Sequence, residues 1–374
     1  MDRDHRRLVA QVAHPLQRRT ARGDLPRKGD RALAQPAFFY QFVDHTLRVR
    51  RLGADVRAVH DRIERRLRTD DNPQSRVHEA LNAATFTAHP YRRPIIGWMN
   101  DLDHLQPEEV RQFFRQWYVP ANATVVVVGD VQPDQVWAWA QEIYGTIPSA
   151  TVPERKPRVE PVQKGIRRLQ FKAPAEQSYL TMSWKVPGLE SLEPSAQTTD
   201  ALALTVLSAL LDGYSGARLD RRLTQGADRV ADSAGAYYDL SARGPKVFVL
   251  DGVPAPGKTL EQLEQALRAE ITRIARDGVS EAELRRVKTQ WTAAQVYGRD
   301  SLFNQAREIG TWWIEGLPLD SSDRLIDALQ QVTAQQVQDV ARRCFTDDQL
   351  TVAQLLPQPM NPNAGRRPSV ALRH

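Results

Sequence analysis

Apolar and polar residues fall into a regular rhythm from about residue 63 onward, and not before it. Residues 74–88 predict a helix that stops ahead of His89-Pro90-Tyr91, because proline cannot continue the backbone ladder. The next window, Leu105 to Tyr118, opens on Pro107 and two glutamates, which suit a first helical turn. Val110, Phe113, Phe114 and Trp117 recur at i, i+3, i+4 and i+7, so they share one face. Ala123 to Gly129 follows, and its four consecutive valines predict a strand buried on both sides. An amphipathic helix is expected at 130–144. Strands are predicted at 166–172, 179–186 and 247–250, an apolar helix at 199–212, and long helices at 259–277 and 280–316.

The helix-strand unit of the first half recurs 227 residues later without a gap: Leu105, Val110, Arg115, Tyr118, Thr124 and Val125 correspond to Val332, Val337, Arg342, Phe345, Thr351 and Val352. Solenoid repeats recur at about 20–50 residues, so this spacing points to two homologous domains instead. A Pro-rich, charged stretch at 149–165 reads as a stiff, exposed linker between them. The expected organisation is a basic leader at 1–62, an N-terminal domain remnant at 63–148, the linker, a C-terminal domain at 166–357 and a disordered tail at 358–374.

Charge changes the picture only at the N-terminus. Residues 1–62 hold 13 Arg, one Lys, seven Asp and no Glu, whereas the rest of the 374-residue chain has 37 basic and 38 acidic side chains. The net charge of +6 is therefore local, and nucleic acid is not the expected partner of the body. Three readings stay open for the leader: a segment translated out of its ancestral frame, a poorly ordered solvated arm, or a nucleic-acid-binding arm. No stretch approaches the roughly 18 apolar residues of a membrane span, and no secretory signal is visible in the chain as given. The single cysteine, Cys344, allows no intrachain disulfide and no multi-cysteine zinc site; it reads as a core residue.

Several segments, in order, resemble the pitrilysin/insulinase-type zinc peptidases of the bacterial processing-peptidase kind. In the first domain these are His89-Pro-Tyr-Arg-Arg-Pro-Ile-Ile-Gly97, Trp117-Tyr-Val-Pro-Ala-Asn-Ala-Thr124 and Val128-Gly-Asp-Val131. In the second they are Gly278-Val-Ser-Glu-Ala-Glu-Leu284, Lys288, Gln305-Ala306 and Val332 to Ala341. The resemblance spans about 63–357. It implies an α+β fold of two similar α/β sandwich domains, each an antiparallel-rich sheet backed by helices. It also implies a peptide or unfolded-protein substrate, zinc as cofactor, and for some members a sister subunit in a heterodimer.

Family chemistry rests on His-x-x-Glu-His, in which two histidines one turn apart bind zinc and the glutamate takes a proton from the bound water. This sequence contains no such motif, and no two of its eight histidines stand four apart. The resemblance places the third zinc ligand, a glutamate, at Glu64 in Ile63-Glu-Arg-Arg-Leu-Arg68, next to an ordinary alternative as a solvated helix glutamate. It also implies a substrate-gripping arginine with a tyrosine seven positions on. Arg222 falls on the arginine, while the tyrosine position holds Arg229. His78 and Glu79 are adjacent on a helix and point about 100° apart, so they cannot clamp one ion. His89 reads as a turn-shaping residue before Pro90, and Gly213 and Gly216 read as turn glycines. The expectation is a peptidase-like chain that does not hydrolyse peptides or hold zinc tightly by itself. The alternative is a non-catalytic subunit that binds peptides or scaffolds a partner.

Overall fold

The computed structural model of the chain describes residues 64–359; the expected leader at 1–62 and all but the start of the expected tail lie outside the described residues. Two compact units are described, one from 64–66 with 98–155 and the other from 67–97 with 156–359. Residues 67–97, read from sequence as part of the N-terminal remnant, thus pack in the larger unit.

In the larger unit, β1 (Arg167–Pro174), β2 (Tyr179–Val186), β3 (Ala231–Tyr238), β4 (Lys246–Pro254) and β5 (Leu350–Gln358) form one sheet in the order β1-β5-β2-β4-β3. β1 pairs with β5 in parallel, and every other pairing is antiparallel. Strand period 2 sends Leu180, Met182 and Trp184 to one face and Tyr179 to the other. On the first face lie α5 (Ala196–Asp212), α6 (Leu260–Asp277), α7 (Glu281–Gly298), α9 (Ser321–Gln330) and α10 (Ala334–Arg343), whose Leu204, Leu207, Leu263, Ile274, Val287, Leu329 and Val337 complete the main core. The other face is covered by α1 (Pro73–Thr85) through Val77 and Leu81 against Tyr179, Ala353 and Leu355. This helix–sheet–helix layering is the mixed α/β architecture the sequence implied.

Helix α1 starts where Asn72 accepts the Ser75 N–H at 3.0 Å, and it ends three residues earlier than its pattern suggested. The cause is Glu160. Its carboxylate accepts the N–H groups of Thr87, Ala88 and His89 at 2.8–2.9 Å, so these amides leave the helical ladder. Lys185 completes the clamp at 2.7 Å, and both side chains are nearly buried. Together with Gln163, which donates to the Leu350 carbonyl at 2.8 Å, Glu160 pins the stretch expected to be an exposed linker.

The single long helix expected at 280–316 is two: α7 and α8 (Leu302–Glu315), separated where Ser301 caps the second by accepting the Asn304 N–H. Strand β3 escaped the pattern because Ala-Asp-Ser-Ala-Gly-Ala-Tyr-Tyr lacks branched residues. Its edge is protected by α5: Asp212 accepts the Ala236 N–H and the Ser208 hydroxyl donates to the Ala236 carbonyl.

The smaller unit holds α2 (Met99–His104), α3 (Pro107–Trp117) and α4 (Pro133–Tyr144). Here the stretch 123–129, expected to be a strand, pairs with no strand among the described residues. Residues 123–128 join no sheet, and Val125 to Val128 are half-buried. A valine run becomes a strand only where other strands satisfy its amides, and among the described residues of this unit there are none. The second copy makes the contrast explicit. Helix α3 and the 3-10 turn Pro120–Asn122 match α10 and the 3-10 turn Asp347–Gln349 at the same 227-residue offset. Leu350–Gln358 then becomes a buried strand held between β1 and β2.

Candidate functional site

Glu64, the residue at the implied zinc-ligand position, is exposed at the start of the helical segment 64–70. Among the described residues no group of three or more His, Cys, Asp or Glu converges in a way that could hold a metal ion. The described residues alone thus offer no donor set for the zinc that the resemblance implies. His78 donates from Nδ1 to the Gln74 carbonyl at 2.9 Å and packs its ring on Tyr179, an ordinary helix-surface role. His89 accepts the Tyr91 N–H and lies edge-on to the Tyr91 ring, so it shapes the turn at Pro90–Arg92. Cys344 is buried in the main core, and burial pushes its thiol up to about 11.

Arg222 occupies a more structured setting in the larger unit. Helix α5 ends at Gly213, where an added Cβ would lie 2.6 Å from the Ala209 backbone, and Gly216 then turns the chain with φ of 78°. Asp220 locks that turn by accepting the Gly216 N–H at 2.8 Å and the Thr224 hydroxyl at 2.7 Å. The same residues, Asp220–Thr224, form a π-helical turn anchored by buried Leu219 and Leu223. Such turns are costly and recur at functional sites, because they re-aim side chains.

Two carboxylates from the helices beneath face this turn. Glu283, in the first turn of α7, takes Arg218 in a two-point ion pair, Nε to Oε1 at 3.1 Å and Nη2 to Oε2 at 2.9 Å. The Arg218 guanidinium holds the Glu283 carboxyl down at about 2. Glu270, on α6, is fully buried. One of its oxygens receives Arg273; the other, Oε2, has no hydrogen bond and lies 3.5 Å from Arg222 Nε. Burial pushes the Glu270 carboxyl up, and Arg273, Arg222 and Arg218 pull it back only in part.

Arg222 makes no other hydrogen bond or ion pair among the described residues. Its side chain is 51% exposed, and its two terminal nitrogens carry no partner there. Arg229, at the tyrosine position, is engaged instead with Asp232, at 3.2 Å through Nε and 2.9 Å through Nη2.

Sequence reasoning singled out Arg222 but missed Arg218, Glu270 and Glu283. The signal for Glu270 was present: Leu263, Leu267, Glu270 and Ile274 step along one apolar stripe of α6, and a charged residue there demands partners.

Comparison with known proteins gives a consistent result. The family model described as peptidase M16 inactive domain matches residues 104–291. The Helicobacter pylori zinc protease PqqE is 25% identical over 301 residues, covering 79% of this chain and 65% of that protein, so the chain spans less than two thirds of the relative's length. The crystal structure of a Helicobacter pylori protease superposes with a TM-score of 0.71 at 23% identity, over 84% of this chain and 72% of that one. A chain of complex III from Candida albicans superposes with a TM-score of 0.67 at 16% identity, over 80% of this chain and 70% of that one. The last two show the fold alone.

Proposed function

Because the chain belongs to the peptidase M16 family, we propose that it binds peptide or unfolded-protein segments as a non-catalytic member of a zinc peptidase assembly. The observation that carries this reading is the match of half the chain to the family's inactive domain. Two features support it. No His-x-x-Glu-His occurs anywhere in the sequence, so a general base beside a metal-bound water is missing. Arg222 is an exposed cation on a rigid turn with donors to spare, which suits a peptide contact.

Hydrolysis then requires a sister subunit that carries the metal site, and Glu64 is the remnant of a ligand position in this chain. Relatives named zinc proteases place zinc in the family. A neighbour of the same fold within a multi-subunit complex supports the heteromeric arrangement. Among the described residues no helix is long and apolar enough to cross a membrane.

Binding of a fluorescein-labelled unstructured peptide, followed by anisotropy, tests the reading. Saturable binding that Arg222→Ala weakens supports it; no binding to the folded chain overturns it.

A further inference from the structure

Helix α3 and the valine run after it carry the sequence of a packed repeat without its packing. Their counterparts in the larger unit show what that packing is. Val337, Val340 and Ala341 of α10 and Cys344 at its end are buried, and the strand that follows lies between two others. Val352 pairs with Arg168 of β1 in parallel and with Met182 of β2 in antiparallel sense. Phe345 completes the repeat by packing edge-on against Trp184 of β2 and Phe248 of β4.

At the 227-residue offset these positions are Val110, Phe113, Phe114, Trp117, Val125 and, for Phe345, Tyr118. No residue of α3 is buried, Phe113 lies on the surface and Tyr118 is 68% exposed. The main-chain N–H and C=O groups of Val125 to Val128 make no backbone hydrogen bond among the described residues. Such a row of open amides beside branched side chains is a template for strand pairing.

The alternation of the second copy says what kind of partner fits. β5 sends Leu350 and Val352 to the face bearing the main core and Ala353 and Leu355 to the face covered by α1. Period 2 therefore gives Val125 and Val127 to one face and Val126 and Val128 to the other, both apolar. A strand apolar on both faces is a central strand, which needs a neighbour on each edge. The same run from a second copy of this chain would satisfy one edge alone. The sequence ahead of residue 63 shows no sustained alternation from which a flanking strand could be read.

We propose that α3 and residues 125–128 are a docking surface for the incomplete sheet of a sister peptidase-family polypeptide. That sheet receives the valine run as an inserted strand, with one parallel and one antiparallel neighbour, and covers the apolar face of α3. Pairing through main-chain groups supplies the affinity, and the alternating valines fix the register. The inference rests on the heteromeric part of the functional reading and is independent of peptide binding.

The test uses the full chain. The probe is the N-terminal half of the Helicobacter pylori relative, ending ahead of its counterpart of residue 123 and fused to a soluble carrier. The two should purify as a one-to-one complex in which the amides of 125–128 exchange hydrogen at least about tenfold more slowly than in the chain alone. Val126→Pro removes a ladder donor and should weaken the complex at least about tenfold, whereas Val126→Ala keeps the N–H and weakens it less. Phe113→Asp places a charge on the covered face and should weaken it as well. An unchanged thermal midpoint of the chain alone shows that each variant is folded. Absence of a complex, or one that Val126→Pro leaves at full affinity, overturns the inference and leaves peptide binding by the chain alone standing. Slow exchange of 125–128 in the chain alone also overturns it, because the neighbouring strands would then come from this chain or a second copy, which sedimentation distinguishes. Loss of peptide binding with the complex intact overturns the peptide-binding reading and not this one.

Discussion

Phe113 and Val340 occupy the same place in the two copies of the repeated unit, yet Val340 is 1% exposed and Phe113 55%. Each sits on the apolar face of an amphipathic helix that leads through a 3-10 turn into a branched apolar run. The second copy lies against α5 and α6 with its strand held between β1 and β2. The first has no such surroundings among the described residues of its unit. Val340→Asp buries an unpaired charge and is expected to cost more than about 3 kcal/mol. Phe113→Ser is expected to change stability by less than about 0.5 kcal/mol. Urea unfolding of the two variants checks the difference.

The Glu160 clamp makes stability depend on acid. Burial raises the carboxyl, but Lys185 and the three amides of residues 87–89 outweigh it and hold it down at about 2. A depressed folded-state value means the contribution is fully present above the unfolded value of about 4.5 and is lost as pH falls from there toward 2. The span corresponds to about 3 kcal/mol for this nearly buried side chain. Glu160→Gln should remove most of that acid dependence, read as the slope of unfolding free energy against pH between about 5 and 2.5.

Arg218 and Glu283 join the turn after α5 to the start of α7, and the arginine side chain is only 10% exposed. Arg218→Ala leaves Glu283 without its partner and is expected to destabilise the larger unit by about 2–4 kcal/mol. It should also raise the Glu283 pKa toward the ordinary carboxylate range, which a carboxyl-resolved NMR titration would register.

Gly216 turns the chain with a positive φ that side chains disfavour, although nothing would contact an added Cβ. Gly216→Ala is therefore expected to cost about 1 kcal/mol through backbone strain alone. Differential scanning calorimetry would show a lowered midpoint without loss of the folded signal.

Much of this architecture was legible because burial writes a period into the chain. Tyr179–Val186 alternates between two faces and was placed to the residue, and the 227-residue offset located α10 and β5 from α3. What escaped depended on partners distant in sequence. Residues 125–128 read as a strand because composition reports propensity, whereas pairing needs a neighbouring strand, and among the described residues of their unit there is none. Helix α1 ended early because Glu160, over 70 residues away, claims its trailing amides. At the candidate site, Arg222 was reachable through resemblance. Its charge partner Glu270 was not, since the pairing joins a turn to a helix some 48 residues on.

The central claim, that this chain binds peptides without cleaving them, is tested most directly by one assay. The purified full chain is mixed with a quenched-fluorescent unstructured peptide and equimolar zinc, with and without a chelator. The account predicts no cleavage above the zinc-only control in either arm, while anisotropy shows the peptide bound. Chelator-sensitive cleavage by the chain alone would contradict it.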